Sequence, residues 1–284
     1  MRAARLAILA FVPALALAQP EGARRLFERR TPFQTIVVAD EGRVRILWSD
    51  TDEFIQGATD LDHPERLHLE YNRISLLGAA LFPDPIRSAL FAGLGAGSLP
   101  GFFHRAVPEA AVEAIEIDPA MLNVARTWFG FDTRIPVHLE DARRYVQRTQ
   151  KKYDLVFVDC YIGKEIPLHL TTLEFLRELQ GRLTRHGLVV ANLQAAPLNP
   201  LFSSMVETLR EVFPTVYLFS GAESSNVIVV ATNQKRRLGD RELADRARTF
   251  ERRVGADLGL VAATERQLTW ATPSPRPPTL KDRR

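Results

Sequence analysis

The spacing of apolar residues divides the chain into a strand-rich beginning and a longer region in which strands alternate with helices. Residues 31–49 contain two runs of alternating apolar and polar residues around a turn at 40–42, which predicts a β-hairpin. Residues 63–82 carry apolar side chains, Tyr71 and Ile74 among them, at helical spacing. We therefore expect a small N-terminal β cap and a linking helix over residues 31–82.

Residues 83–235 have the pattern of a Rossmann-like core. Short apolar runs follow one another with amphipathic stretches between them, and this order predicts an α/β fold with a parallel sheet covered on both faces. The last two apolar runs, separated by the polar segment 221–225, predict an antiparallel hairpin at the edge of the sheet. Residues 19–30 are interpreted as a basic lead-in, and residues 236–284 as a C-terminal helix with a Pro-rich, disordered tail from Thr272.

The first 18 residues have the pattern of a secretory signal. Two arginines precede an apolar run from Leu6 to Ala18, which ends in the small-x-small sequence Ala16-Leu17-Ala18. The run is too short to span a bilayer, and no later run is long enough, so no integral membrane domain is expected. The sequence predicts a periplasmic or secreted protein if this signal is used, and a cytoplasmic one if it is not.

Composition narrows the function classes. The chain has 284 residues, 46% of them hydrophobic, and a net charge of +3 that is spread over basic stretches and the tail, so nucleic-acid binding is not expected. The single cysteine, Cys160, excludes an internal disulfide and a multi-cysteine zinc site. His104, His138 and His169 are not spaced as metal ligands, and no metal is expected, although His169 could contact a substrate.

A glycine-rich segment follows the first core strand. Gly93, Gly95 and Gly97 occupy alternate positions before a predicted helix, where backbone without a Cβ can turn tightly and approach a ligand. The spacing is not that of the dinucleotide fingerprint, which would place its third glycine where this chain has Ser98.

Acidic residues close the next two predicted strands. Glu116 lies about 20 residues after the glycines, where a carboxylate can accept both hydroxyls of a ribose. Asp141 follows the next strand, where it could bind an adenine amino group or simply cap the following helix. Together with the glycines, these acids favour an adenosine ligand without a phosphate, as in S-adenosylmethionine.

The sequence resembles the polyamine aminopropyltransferases, the spermidine synthase family, over residues 31–232. The motifs that carry the resemblance are TPFQTIVV, LEYNR, GLGAGSLP, EIDP, EDAR, YDLVFVD and IPLHLTTLEFL, in this order. It is most similar to the spermidine synthase-like branch that sometimes occurs fused to membrane transporter domains.

The resemblance implies transfer of an aminopropyl group from decarboxylated S-adenosylmethionine to an amine such as putrescine. It implies that Asp159 accepts the proton of the amine, that Tyr71 orients the amine, and that Gln34 lies at the propyl end of the donor. Glu116 matches the ribose ligand and Asp141 the adenine ligand. The family also implies a homodimer.

Three positions depart from the family pattern, and all lie on the amine side. Ala96 stands where the glycine loop usually has an acid, and Asn72 follows the cap tyrosine in place of glutamine or histidine. Lys164 lies near the place of the second acid after Asp159, where it would repel a diamine, although Glu165 could substitute for that acid.

Two other function classes remain open at this point. The missing loop acid favours an S-adenosylmethionine-dependent methyltransferase, because the methionine carboxylate would be repelled by an acid, whereas Gln34 and Tyr71 in the cap argue against it. The signal-like N-terminus favours a non-catalytic adenosine- or polyamine-binding relative, because S-adenosylmethionine is made in the cytoplasm.

Overall fold

Two β-sheets organise the protein. The computed structural model describes residues 23–49 and 54–282, so the predicted signal at 1–18 lies outside the described residues. The N-terminal sheet has four antiparallel strands in the order β1-β2-β3-β4. They are β1 (Arg24–Arg30), β2 (Thr35–Glu41), β3 (Val44–Ser49) and β4 (Phe54–Asp60).

The N-terminal sheet begins earlier than the sequence indicated. The predicted hairpin is present as β2 and β3, which pair antiparallel through Glu41 and Val44. The segment interpreted as a lead-in forms strand β1 instead, because its apolar residues find partners. Phe27 packs on the ring of Trp128 at 6.3 Å between centroids, and Arg24 donates a hydrogen bond to Asp40.

Two short helices connect the two sheets, where the sequence predicted one. They are α1 (Glu70–Ser75) and α2 (Leu77–Leu81). Every residue of α2 is buried, and a Cβ on Gly78 would overlap the side chain of Val190 in the core sheet. The connection therefore follows the contour of the core instead of continuing as a single amphipathic helix.

The core is a seven-stranded sheet in the order β10-β11-β9-β8-β5-β6-β7. Five adjacent strands, from β9 to β7 in this order, pair in parallel, and β11 runs antiparallel to both β9 and β10. The fold is therefore the predicted α/β class with a closing antiparallel hairpin. The strands are β5 (Ser88–Ala92), β6 (Ala111–Glu116), β7 (Val137–Leu139), β8 (Tyr153–Val158), β9 (Leu183–Gln194), β10 (Thr215–Ser220) and β11 (Asn226–Thr232).

Strand order sets the position of the ligand crevice. From β5 the chain moves to β6 and β7 on one side, then returns to β8 on the other side of β5. Loops on the two sides of this reversal separate at the carboxyl ends of the strands, where open α/β sheets bind ligands. The glycine loop after β5 and Asp159 after β8 are therefore neighbours, as the predicted site requires.

Helices cover both faces of the core sheet, and each face has its own apolar cluster. In the first cluster Phe91 and Phe157, on neighbouring strands, stack with centroids 4.4 Å apart, and Phe103 meets both rings edge-on. The helices are α3 (Ser98–Ala106), α4 (Pro119–Trp128), α5 (Ala142–Arg148), α6 (Leu173–Gln180), α7 (Phe202–Val212), α8 (Asp240–Val254) and α9 (Leu260–Glu265), with a 3-10 helix at Leu168–Leu170.

The C-terminal tail packs against the core, in contrast to the predicted disorder from Thr272. Glu207 of α7 is fully buried and accepts hydrogen bonds from three tail side chains, those of Trp270, Thr272 and Arg276. Further along, Asp282 accepts hydrogen bonds from Arg143 at 2.7 Å. The Pro-rich composition suggested disorder, but a buried carboxylate on α7 holds this segment through specific hydrogen bonds.

Over residues 23–49 and 54–282, no helix is long and apolar enough to cross a membrane.

Candidate functional site

A cavity of about 480 Å³ opens at the carboxyl edge of the core sheet, under the N-terminal sheet. Its walls come from the loops after β5, β6, β7 and β8, the end of β9, strand β4, helix α1 and the β10–β11 hairpin. The lining includes every side chain that the sequence predicted for the site, namely Gln34, Tyr71, Glu116, Asp141 and Asp159, together with Gly93 and Gly95. Residues from distant parts of the sequence thus meet in one crevice.

The glycine loop has the backbone that the sequence predicted. Gly93, Gly95 and Gly97 all have positive φ, at +96°, +54° and +76°, a region that residues with a Cβ rarely adopt. A Cβ on Gly93 would overlap the carbonyl oxygen of Asp159. Gly97 is the N-cap of α3 and packs against the ring of Phe131, so it supports the loop from outside the cavity lining.

Glu116 ends β6 with its carboxylate held by backbone. One oxygen accepts a hydrogen bond from the Leu94 N–H at 3.2 Å, and the other accepts one from the Asp118 N–H at 2.8 Å. Burial raises the pKa of Glu116 to about 7, although these two N–H groups oppose the rise. A carboxylate that is fixed by the glycine loop and open to the cavity can accept hydroxyl donors from a ligand.

Asp141 is both a helix cap and a cavity residue. Its side chain accepts a hydrogen bond from the Arg144 N–H at 3.0 Å, as an N-cap does. The other oxygen lies 2.8 Å from Nε2 of His169, which also lines the cavity. A helix cap and a ligand contact are therefore compatible roles for Asp141, because capping uses one carboxylate oxygen and leaves the other at the cavity.

Asp159 follows β8 directly, and its carboxylate faces the cavity. Its backbone N–H donates to Ala92 across the parallel strands at 2.9 Å. Oδ1 accepts a hydrogen bond from the side-chain amide of Asn192 at 3.0 Å. Burial raises the pKa of Asp159 to about 6, and the Asn192 amide acts in the opposite direction.

The N-terminal sheet and α1 supply polar groups on the opposite wall. Tyr71 donates from its hydroxyl to the carbonyl of Gln56 at 3.3 Å, and the Gln56 amide donates to Gln34 at 2.9 Å. Burial raises the pKa of Tyr71 well above its usual value, and the charge of Asp159 raises it further. Tyr71 is therefore a neutral hydroxyl close to the Asp159 carboxylate.

Acidic side chains dominate the charge of the cavity lining. Among the described residues the cavity lining contains no lysine and no arginine, but it contains six acids: Glu70, Glu116, Glu140, Asp141, Asp159 and Glu223. Four of these acids have basic side chains within ion-pair distance: Glu70 with Arg266, Glu140 with Arg148, Asp141 with His169, and Glu223 with Arg73. Within the described part of the chain, Glu116 and Asp159 are hydrogen-bonded only to neutral groups. Carboxylates that line a cavity and have no cationic partner favour a cationic ligand.

Of the positions that depart from the family pattern, Ala96 and Asn72 line the cavity and Lys164 does not. Ala96 lines the cavity, and its Cβ packs against the backbone of Gly57 in β4, so the cap closes directly on the glycine loop. Asn72 also lines the cavity and is buried. Lys164 and Glu165 are exposed at a tight turn and do not belong to the lining. Neither repulsion of the ligand by Lys164 nor substitution by Glu165 follows from this geometry.

The remaining sequence candidates have ordinary environments. Cys160 lines the cavity, and burial raises the pKa of its thiol well above the usual range, so it is not an activated nucleophile. His138 binds Glu113 at 2.8 Å in a cluster with Lys151 and Tyr145, away from the cavity lining. Across residues 23–49 and 54–282, no group of three or more His, Cys, Asp or Glu side chains is arranged to hold a metal ion.

Several residues of the cavity lining were not predicted from the sequence. Asn192 and Gln194 lie at the end of β9, Tyr161 lies two residues after Asp159, and Asn226 starts β11. Polar residues at the end of the apolar run GLVVANLQ could have marked the β9 residues, since the ends of parallel strands share one edge. Asn226 reaches the cavity because β11 is antiparallel to β9, so its beginning lies at that same edge.

Comparison with known proteins identifies the family of the chain and related folds. The family model for the spermine/spermidine synthase domain matches residues 102–222. A polyamine aminopropyltransferase of Vibrio vulnificus is 33% identical over 217 residues, covering 72% of this chain and 71% of that protein. The crystal structure of a probable spermidine synthase from Corynebacterium glutamicum has the same fold, with a TM-score of 0.68 at 20% identity, over 81% of this chain and 87% of that one.

A methyltransferase shares the core as well. The crystal structure of human methyltransferase-like protein 13, in complex with SAH, is 29% identical with a TM-score of 0.61, and covers 66% of this chain and 94% of that one. The aminopropyltransferase similarity extends over a larger share of this chain. On the family model and this similarity, the chain belongs to the spermine/spermidine synthase family of transferases.

Proposed function

We propose that the protein transfers an aminopropyl group from decarboxylated S-adenosylmethionine to a small amine such as putrescine. One observation carries the proposal: the buried Glu116 and the half-buried Asp159 face one cavity from the strands on either side of β5, and within residues 23–49 and 54–282 neither carboxylate has a cationic partner. Donor and acceptor in this reaction are both cationic, so a cavity of this charge favours both.

The donor half of the proposed site is formed by the loops after β5, β6 and β7. The glycine loop lets the nucleoside approach the backbone, Glu116 accepts the ribose hydroxyls, and Asp141 accepts from the adenine amino group. His169 holds Asp141 at 2.8 Å. These groups bind and orient the donor without entering the reaction.

The reacting half lies between Asp159 and the cap. The amine must lose a proton before its nitrogen lone pair can attack the propyl carbon attached to sulfur. As the new C–N bond forms, the C–S bond breaks and sulfur keeps the electron pair, which leaves a neutral thioether, 5′-methylthioadenosine. Asp159 holds the cationic amine and accepts its proton, while Tyr71 and Gln34 line the opposite wall.

Methyl transfer from S-adenosylmethionine is the second candidate. It is favoured by Ala96, which leaves the glycine loop without an acid to bind the amine of the decarboxylated donor, and by the similarity to the SAH-bound human methyltransferase-like protein 13. It is disfavoured by the lining, which offers the methionine carboxylate no lysine or arginine among the described residues.

Product analysis separates the candidates. Purified protein is incubated with putrescine and either decarboxylated or ordinary S-adenosylmethionine, and products are identified by mass spectrometry. We expect an aminopropylated amine and 5′-methylthioadenosine with the decarboxylated donor only. A methylated amine with the ordinary donor supports the second candidate, and no product with either donor contradicts both.

Two variants test whether any turnover takes place at this site. Asp159→Asn removes the proton acceptor, so we expect a rate loss of about 10²–10⁴ while donor affinity changes only a few-fold. Glu165→Gln is the matched control, because it removes an exposed acid from the same loop outside the lining. Equal rates in Asp159→Asn and wild type would refute the role of Asp159.

A further inference from the structure

A continuous line of side-chain amides leads from the closing hairpin to Asp159. The Asn226 amide donates from Nδ2 to Oδ1 of Asn192 at 2.8 Å, and the Asn192 amide donates from Nδ2 to Oδ1 of Asp159 at 3.0 Å. All three residues line the cavity. They come from three different elements, β11, β9 and the loop after β8.

The direction of these hydrogen bonds is set by the chemistry of the amide. An amide has its donor on nitrogen and its acceptor on oxygen. Because the oxygen of Asn192 accepts from Asn226, its nitrogen is the group that points at Asp159. If Asn192 were reversed, its oxygen would meet the carboxylate and its NH₂ would meet the NH₂ of Asn226.

The backbone around Asn192 is held as well. Tyr161 donates from its hydroxyl to the carbonyl of Asn192 at 3.2 Å and accepts from the Gln194 N–H at 3.1 Å. This hydroxyl ties the loop that carries Asp159 to the end of β9. Asn192 itself is 6% exposed, so a lost hydrogen bond at this place is not readily replaced by solvent.

Resting on the proposed role of Asp159 as proton acceptor, we infer that Asn192 and Asn226 are positioning residues, which hold the Asp159 carboxylate in place through this one-directional chain. Asn192 acts on the carboxylate directly. Asn226 acts only through Asn192, by fixing the orientation of its amide. Neither residue needs to touch the reacting atoms for this role.

The chain also affects the ionisation of Asp159. A donor to the carboxylate stabilises the charged form, against the burial that raises the pKa of Asp159 to about 6. The titratable groups that line the cavity come from every surrounding element. They are His68, Glu70 and Tyr71 at α1, Cys160, Tyr161 and His169 on the segment after β8, Glu116 at the end of β6, Glu140 and Asp141 before α5, and Glu223 in the β10–β11 hairpin. Of these, Glu116 titrates in the same range, because burial raises its pKa to about 7.

The test uses Asn192→Ala, Asn226→Ala and the double variant, with Ser225→Ala as control. Ser225 lies beside Asn226 but outside the lining. The dependence of kcat on pH is measured at saturating donor, where Glu116 is occupied by the nucleoside. The pKa of Asp159 is measured separately by NMR of the ¹³C-labelled carboxyl group.

For Asn192→Ala we expect the pKa of Asp159 to rise by about one unit, since a charged hydrogen bond is lost. The acid limb of kcat then moves to higher pH, with a loss of about fivefold at pH 6 that shrinks at pH 8. Asn226→Ala should shift the pKa in the same direction by less. In the Asn192→Ala background it should add almost nothing, because its effect passes through Asn192.

Additive effects of the two substitutions, or no change in the pKa of Asp159, would overturn the inference. A merely structural role for either asparagine would lower the melting temperature without moving the pKa. Because the NMR titration does not need turnover, it decides the inference even if the wild-type protein yields no aminopropylated product, which would contradict the proposed function alone.

Discussion

Glu116→Gln is the substitution for which the structure predicts opposite effects on stability and on ligand binding. The pKa of Glu116 is about 7 instead of 4.5, chiefly because the carboxylate is buried. One pKa unit corresponds to about 1.4 kcal/mol, so ionising this group in the folded protein costs about 3 kcal/mol relative to the unfolded chain. The glutamine variant keeps the shape of the side chain and loses this charge.

The sign of the pH dependence follows from which state ionises first. Below pH 4.5, Glu116 is protonated in both states. Between pH 4.5 and 7 the unfolded chain ionises first, so the free energy of unfolding of the wild type falls. From pH 5 to pH 8 the glutamine variant should therefore gain about 2–3 kcal/mol relative to the wild type, as measured by urea unfolding.

Ligand binding should change in the opposite direction. At pH 8, replacing the carboxylate removes about one charged hydrogen bond to the ribose, so affinity for 5′-methylthioadenosine should fall about 10- to 100-fold. The wild type should bind about 20-fold more tightly at pH 8 than at pH 5.5, because the ionised form accepts the ribose hydroxyls. The glutamine variant should show no such rise.

Isothermal titration at the two pH values checks the binding profile, with Glu165→Gln as the control for removal of an acid outside the lining. Parallel pH profiles for wild type and Glu116→Gln, in unfolding and in binding, would contradict both expected effects of this carboxylate. They would mean that Glu116 is ionised at no cost and does not contact the nucleoside.

Three further substitutions test the glycine loop, the C-terminal tail and the neighbour of Asp141. Gly93→Ala should abolish nucleoside binding in a titration, because a Cβ would overlap the Asp159 carbonyl at a residue with φ of +96°; unchanged affinity would contradict the described loop. Glu207→Ala should lower the free energy of unfolding by about 3 kcal/mol in urea, since its carboxylate holds the C-terminal tail; a variant as stable as the wild type would mean that the tail is not anchored there. His169→Ala should weaken nucleoside binding less than tenfold, because it removes one neighbour of Asp141 near the surface; a greater loss would indicate that His169 contacts the ligand itself.

The parts of the fold that depend on local sequence pattern could be predicted from the sequence. Apolar runs separated by amphipathic stretches predicted the parallel core, and the turn at 40–42 predicted the β2–β3 hairpin. The glycines, Glu116, Asp141 and Asp159 could be placed at one edge because the carboxyl ends of parallel strands meet there. These inferences need only strand direction and order along the chain.

The parts that the sequence did not reveal depend on contacts between distant residues. Strand β1 forms in a basic segment because Phe27 meets Trp128, and the tail is ordered because Glu207 is buried beneath it. Asn226 joins the cavity only because β11 pairs antiparallel with β9. Lys164 was expected near the amine, but a tight turn between Ile162 and Glu165 places it outside the lining.

The proposed discrimination between donors depends on the charge of the cavity. Decarboxylated and ordinary S-adenosylmethionine differ by a single carboxylate, and the described lining has no lysine or arginine to pair with it. A carboxylate about 7 Å from a cavity acid costs about 2 kcal/mol at an effective dielectric constant of about 20. This corresponds to a difference of about 30-fold in affinity.

Isothermal titration of the purified protein with the two donors, side by side at pH 8, measures this difference directly. We expect decarboxylated S-adenosylmethionine to bind at least tenfold more tightly than the ordinary form. Equal or tighter binding of ordinary S-adenosylmethionine would contradict the proposed aminopropyl transfer and favour methyl transfer at the same site.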